Sequence, residues 1–300
     1  MITLFLSDGL GNQMFQYAFA RSLQLQTRNK LQLSLTAFNN DALRCYALNN
    51  LNIPETIKIV SPKKGELLFW EHRIFNRVRF WKNSNPSGKY IGRHLINAFI
   101  ADVYSYDDIT KKHFCKNISV YGQFQNVKYF EHNADIIREE LKVKALPSEE
   151  NQVLLEEIDG TNSVCVHIRR GDYLNPRWVY LNICNYEYYK KAMQKVCEKT
   201  ENPVFYIFSN THEDIEWIKE NYDFSDFNVK YVDLNNPDYE ELRLMYSCKH
   251  FIISNSTFSW WAQYLGEYDK KIVVAPSKWN NKDNVDDSGI YMPEWEVLEV

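Results

Sequence analysis

Apolar and polar positions alternate in two rhythms along the chain. Ile2 to Leu6 is a short apolar run, Leu31 to Leu35 alternates, and Val120 to Phe124 is again apolar; each reads as a strand. Between the first two, Phe15, Ala18, Phe19 and Leu23 recur at helical spacing. They predict a helix from about Gln13 to Gln26, entered through a tight turn over Ser7-Asp8-Gly9-Leu10-Gly11-Asn12. Leu67, Trp70, Ile74, Val78 and Trp81 predict an amphipathic helix over residues 64–82, with Arg73, Arg77, Arg79 and Lys82 on its other faces. Asn83 to Gly88 reads as a loop, and a further helix is expected from about Val127 to Lys142.

Leu146-Pro147-Ser148 interrupts this half, with Ser148 placed to cap a short helix through Ile158. Beyond it strands and helices alternate with short links, the pattern of a parallel sheet. Strand Val164 onward is followed by strand Val204 to Ser209, helix Glu213 to Tyr222, strand Val229 to Val232 and helix Asp238 to Cys248. Strand Phe251 to Ser254, helix Phe258 to Leu265 and a last strand Ile272 to Ala275 complete the series. The expected class is therefore α/β, divided at 146/147 into domains 1–146 and 147–300, the second of them Rossmann-like.

Composition narrows the partners. A formal charge of -4 over 300 residues offers no net-positive footprint for nucleic acid. The opening Met1 to Asp8 is too short an apolar run for a signal peptide or a membrane span. Six scattered cysteines without a Cys-x-x-Cys pair fit reduced thiols and a cytoplasmic setting. Seven dispersed histidines make a structural zinc site unexpected. The abundant Tyr, Trp and Phe serve equally as saccharide platforms or as core.

Three stretches carry candidate chemistry. The first is Ser163 to Tyr173, a strand running into Arg169, Arg170 and the turn residue Gly171. On a strand His167 and Arg169 share a face, and a guanidinium fork matches phosphate oxygens. The rival reading is a strand ending in surface arginines paired with an acid such as Asp172. The second is the glycine loop, which lacks the third glycine of a dinucleotide fingerprint, having Met14 there, and lacks the Gly-Lys-Ser/Thr of a P-loop. The third is Ser254-Asn255-Ser256-Thr257-Phe258-Ser259-Trp260-Trp261, where a strand delivers polar side chains to a helix start that favours an anion. Capping needs only one of those hydroxyls.

Together, Gly9 to Ala18, His167 to Tyr173 and Ser254 to Trp261 resemble the signature blocks of the alpha-1,2-fucosyltransferases of bacteria and animals. Lesser matches at Tyr121 to Gln125, Phe208-Ser209 with Glu216-Trp217, and Asp238 to Met245 stand in family order, so the resemblance spans nearly the whole chain. It implies a GT-B-like enzyme, two Rossmann-like domains with a cleft between them, that moves L-fucose from GDP-fucose to the 2-hydroxyl of a terminal galactose with inversion. It implies Arg169 and Arg170 on the leaving diphosphate, assisted by the helix start near Ser256 and Thr257, with His167, Asn210, Ser254, Asn255 and Phe258 around the nucleotide. Gly11, Asn12 and Gln13 fall on the acceptor side, with Asn12 and Gln13 on sugar hydroxyls. Asp172 is the expected base or an orienter of Arg170, and Asp8 an alternative base. No cofactor is expected, and the absence of any Asp-x-Asp agrees with a family that needs no metal. Two departures stand out: Asp8 occupies a position where the family commonly has glycine, and Ser209-Asn210-Thr211 replaces Ser-Asp-Asp.

The acceptor is not specified beyond its terminal sugar. A galactose-terminated or lipid-linked glycan of a surface polysaccharide is expected, chosen by loops such as Asn83 to Arg93. The 64–82 helix is either a domain-packing element or a peripheral membrane contact. Transfer to a protein hydroxyl and a catalytically silent GDP-sugar sensor are the rival functions.

Overall fold

A computed structural model of the chain describes residues 1–40, 44–63, 66, 97–101, 117–282 and 287–300. The helix expected over 64–82, Glu66 apart, and the loop expected over 83–93 lie outside the described residues. Two compact units are present, Met1–Leu141 and Lys142–Val300.

The first unit is built on five parallel strands in the order β3-β2-β1-β5-β4, with β1 Ile2–Phe5, β2 Leu31–Ser34, β3 Lys58–Val60, β4 Asn97–Ala101 and β5 Asn117–Tyr121. Central β1 is buried on both faces, which is why it reads as continuous rather than alternating apolar sequence. Helix α1, Leu10–Thr27, starts three residues before the apolar pattern does because Gly9 already serves as its N-cap. The helix expected over 127–142 is instead two short 3-10 turns, Val127–Tyr129 and Glu131–Asn133, before α2, Ala134–Leu141. Tyr129 and Phe130 have to enter the core against Phe19, Phe124 and Phe15, and that packing overrides a single helical path. Glu140 of α2 is buried and accepts from Tyr17 (2.5 Å) and from Arg21 (2.6 Å), tying α2 to α1.

The second unit opens earlier than the expected 146/147 division because the linker packs on it. Lys142 Nζ reaches Glu267 Oε1 at 2.8 Å, and Arg243 Nη2 donates to the carbonyl of Ala145. Ser148 caps α3, Glu149–Gly160, by accepting from Asn151 N. Six parallel strands follow in the order β11-β10-β9-β6-β7-β8: β6 Asn162–His167, β7 Pro203–Phe208, β8 Val229–Tyr231, β9 His250–Ile252, β10 Val273–Pro276 and β11 Glu296–Leu298. The helices are α4 Tyr186–Cys197, α5 His212–Asn221, α6 Asp238–Tyr246 and α7 Thr257–Leu265.

Two of these elements lie beyond the sequence reading. The apolar positions of α4, Tyr188, Tyr189, Ala192, Met193 and Val196, are interleaved with three lysines, and β11 is a three-residue edge strand with little burial. Val164, Val166 and Ile168 pack against α4 and α5 on one face of the sheet. On the other, α6 packs against α7 and α3. None of the five described cysteines is in a disulfide. Among the described residues no helix is long and apolar enough to cross a membrane.

Candidate functional site

The topology selects the place before any motif does. From β6 the chain moves outward through β7 and β8, then returns to β9 on the other side of β6. Open parallel sheets bind ligands outside the carboxyl ends of the strands at such a reversal. The residues delivered there are those following β6, Ile168 to Asp172, and those following β9, Ile253 to Thr257.

Adjacent Arg169 and Arg170 are turned to different partners. Arg169 Nη2 donates to Asp172 Oδ1 at 2.7 Å, while its Nε is buried without an acceptor among the described residues. Arg170 lies over the Trp217 ring, 3.3 Å from guanidinium carbon to centroid, and its Nε donates to Asp214 Oδ1 at 3.4 Å. Asp172 therefore pairs with Arg169. The side chain of Arg170 is thus held by α5. Asp214 and Trp217, three residues apart on that helix, were not among the expected site residues; only their i, i+3 spacing marked them as sharing a face.

Gly171 makes the turn possible. Its φ is +32°, and a Cβ there would stand 3.0 Å from the Asn210 side chain. Asn210 Oδ1 accepts from Arg170 N at 3.4 Å, and Asp214 Oδ2 accepts from Gly171 N at 3.2 Å. Asn210 thus braces the arginine turn through its Oδ1.

The polar run after β9 is largely consumed internally. His167 is buried, its Nδ1 2.5 Å from Ser259 Oγ and 3.3 Å from Ser254 Oγ. Burial, helped by the charge of Arg169, pushes the imidazole down to about 3, so it is neutral at physiological pH and a poor proton acceptor there. Asn255 donates to the carbonyls of Leu181 (2.8 Å) and Trp279 (2.9 Å), pinning two loops, while its own carbonyl accepts from Tyr173 Oη. Ser256 caps α7. The excess of polar residues over capping needs therefore goes into bracing. Thr257 and Phe258, both part-exposed, remain at the helix start, the Phe258 ring 5.8 Å from that of His167.

One further carboxyl feels the charge of Arg169. Glu241 of α6 is pushed up to about 8 by burial and by Asp238 and Asp233, with Arg169 opposing. On the surface nearby, His212, Glu216 and Asp233 place ligand atoms within 4.8 Å of one another, the one such group among the described residues. His212 is already bonded to Asp233 at 2.6 Å and Glu216 to Lys219 at 2.6 Å.

In the first unit the same logic applies at the reversal between β1 and β5. Asp8, following β1, has φ +65°, the left-handed region that glycine enters freely and aspartate tolerates, which accounts for glycine as the common family residue. Its Oδ2 accepts from Gln123 Nε2 at 2.6 Å and from Ser7 Oγ at 2.9 Å. Gln13 is wholly buried, donating to the carbonyls of Asp8 and Cys45 and accepting from Ala47 N. These bonds tie the glycine loop to the segment around Cys45 and Ala47. Gly11 is buried in the first turn of α1, whereas Asn12, half-buried, accepts from Gln125 Nε2 at 2.9 Å. Gln123 and Gln125, from the segment after β5, complete this edge; in the sequence they belong to one of the lesser matches.

Residues 1–299 match the family model described as glycosyl transferase family 11. An alpha-1,2-colitosyltransferase of Escherichia coli is 31% identical over 98% of this chain and 97% of its own length. The Escherichia coli O-antigen biosynthesis glycosyltransferase WbnK is 29% identical over 93% of this chain and 96% of its own. Galactoside alpha-(1,2)-fucosyltransferase 1 of Saimiri boliviensis boliviensis is 32% identical over 47% of this chain and 41% of its own. Among solved structures, an Arabidopsis thaliana FUT1 variant in complex with GDP superposes with TM-score 0.55 at 13% identity, covering 94% of this chain and 72% of that one. The alpha-1,6-fucosyltransferase NodZ soaked with GDP-fucose gives TM-score 0.51 at 11% identity, covering 88% and 91%. The fold is GT-B-like.

Proposed function

The chain belongs to glycosyl transferase family 11 and is a glycosyltransferase, and from that premise we propose that it moves L-fucose from GDP-fucose to the 2-hydroxyl of a terminal β-galactoside, with inversion, in the assembly of a surface polysaccharide. The observation that carries the donor assignment is the Arg169 Nε, buried without an acceptor among the described residues, at the switch point of the second sheet, the edge from which α7 also starts. Breaking the bond to GDP concentrates negative charge on the leaving diphosphate. A preorganised guanidinium and a helix N-terminus hold that charge more strongly in the transition state than in the ground state. Arg169 binds the diphosphate directly; Arg170, locked to Asp214 and Trp217, holds the turn that aims it.

The acceptor hydroxyl must lose a proton as it attacks an oxocarbenium-like carbon. Asp172 shares the edge with Arg169 and is the proposed base. His167 is too weak a base in its buried state, and Asp8 already accepts from two neighbours in the first unit. No metal is needed for this scheme. The similarity to a colitosyltransferase favours one second reading, in which the donor sugar is colitose, L-fucose without its 3-hydroxyl.

Purified chain would be offered GDP-fucose or GDP-colitose with a panel of terminal β-galactosides, and the product linkage determined. A fucose or colitose on the 2-hydroxyl supports the reading and ranks the two donors. A product at another hydroxyl, or transfer only to a protein, contradicts it.

A further inference from the structure

Exposed apolar side chains scattered singly are ordinary in a folded protein; a group of them is not. Of the ten large apolar residues exposed among the described ones, three fall within six positions: Leu174 at 49%, Trp178 at 37% and Val179 at 56%. They stand on residues 174–182, the segment that leaves the arginine turn, and that segment is firmly held. Trp178 N donates to the carbonyl of Asn175 and Leu181 N to that of Trp178, both at 2.8 Å. Buried Asn255 donates to the Leu181 carbonyl and, from the same amide, to the Trp279 carbonyl in the neighbouring segment 277–282. Asn281 N reaches the Tyr180 carbonyl at 2.9 Å. The two segments thus form one rim beyond the carboxyl ends of β6 and β9, with its apolar side chains kept in solvent. The rim is also basic. The guanidinium of Arg177 lies 5.1 Å from the Trp178 centroid and Lys282 Nζ 3.7 Å from that of Tyr180, while Lys278 is exposed and bonded only to a neutral amide, that of Asn281. Neither segment contains an acid. Asp172 on the turn before is paired with Arg169, and Asp287 beyond accepts from Trp279 N; Asp283 and Asp286 lie outside the described residues.

We propose that this rim docks the chain on an anionic bilayer surface. Leu174, Trp178 and Val179 enter the boundary between headgroups and acyl chains, and Arg177, Lys278 and Lys282 lie among the lipid phosphates. Tryptophan favours that boundary, and a basic side chain lying along an aromatic ring keeps its charge at headgroup level while the ring goes deeper. The composition of the rim selects this occupant. A saccharide would use the Trp178 ring but leave Leu174 and Val179 in water. A second copy of the chain meeting the same patch would bring the same positive charges to the contact. Anionic lipid satisfies both the apolar and the basic groups. The surface is separate from residues 64–82, and docking on it does not depend on which sugar is transferred. Its consequence rests on the reading of the acceptor as a surface-polysaccharide glycan carried on lipid: docking would hold the carboxyl edge of β6 close to the plane where such an acceptor is anchored.

The test is co-sedimentation of the whole purified chain with vesicles of phosphatidylcholine, alone or with about 30% phosphatidylglycerol, at roughly 50 and 500 mM salt. Two double variants are compared with wild type: Trp178→Ser with Val179→Ser, and Arg177→Glu with Lys282→Glu. Wild type should bind the anionic vesicles at least about tenfold more tightly than the neutral ones, and lose most of that preference at high salt. The serine variant should bind anionic vesicles about tenfold more weakly or worse at both salts. The glutamate variant should bind them about 25-fold more weakly or worse at low salt, about fivefold for each charge, with the deficit shrinking at high salt. Both variants should melt as wild type does and release GDP from GDP-fucose at the wild-type rate with a soluble β-galactoside. Wild type that ignores anionic vesicles overturns the proposal, as does equal binding by all three proteins, which would put the membrane contact elsewhere on the chain. A raised KM for the soluble galactoside in the serine variant, with vesicle binding unchanged, would make the rim a saccharide platform instead. Self-association of wild type that the serine variant abolishes, without any vesicle binding, would make it a contact between copies. A chain that docks as described but transfers to no galactoside supports the docking and overturns the acceptor reading.

Discussion

Truncating the two adjacent arginines should have opposite signatures. Arg170 and Asp214 are both nearly buried, with side chains 16% and 11% exposed, and Arg170 also covers Trp217. Arg170→Ala leaves Asp214 uncompensated and removes the cation–π contact, a cost of about 3–5 kcal/mol. For a unit of this size that lowers the melting temperature by roughly 6–20 °C. Arg169 pairs with the more exposed Asp172, a contact worth at most about 1 kcal/mol, so Arg169→Ala should melt nearly as wild type does. Its kcat should nevertheless fall about 100- to 1,000-fold, as when one charge-stabilising donor is removed. Thermal melting and initial-rate kinetics on both variants read the two quantities separately. The reasoning fails if Arg169→Ala melts as early as Arg170→Ala, or if Arg170→Ala keeps the wild-type melting temperature while losing kcat.

Acid should unfold the chain partly through His167. The unfolded imidazole takes a proton near pH 6.5 and the folded one only near about 3, so stability is fully present above 6.5 and is lost as pH falls, by up to about 1.4 kcal/mol per unit. His167→Gln should flatten that slope in melts between about pH 4 and 6.5. Glu241 acts with the opposite sign: its folded carboxyl holds a proton that the unfolded chain releases above about pH 4.5, so Glu241→Gln should raise the melting temperature increasingly toward pH 8. Gly171→Ala meets both a positive φ and the Asn210 side chain, and should cost about 1–3 kcal/mol while lowering kcat through displacement of Arg169; an unchanged melting curve would contradict this.

What was legible in the sequence is what short-range pattern encodes. β6 with its arginines and glycine, the glycine loop before α1 and the polar block before α7 are continuous stretches, and their places at sheet reversals follow from parallel topology. The partners were not legible. Whether Arg170 or Arg169 meets Asp172 depends on where α5 brings Asp214 and Trp217, and whether Ser254 and Asn255 face ligand depends on His167, Leu181 and Trp279. Gln13 looks like a ligand in a list of polar residues, yet long-range backbone groups at Cys45 and Ala47 consume it. Glu241 sits in an ordinary amphipathic helix beside a second glutamate, and only tertiary packing separates the two. The 127–142 segment departs from a single helix because aromatic packing, not helical propensity, sets its path.

The most direct test of the arginine-centred donor site is GDP release from GDP-fucose by wild type and Arg169→Ala, with EDTA present, with and without a terminal β-galactoside. The account predicts release that requires the galactoside, is unaffected by EDTA and collapses in the variant. Release that disappears with EDTA, returns with a divalent cation and survives in Arg169→Ala would contradict it, and would direct attention to His212, Glu216 and Asp233.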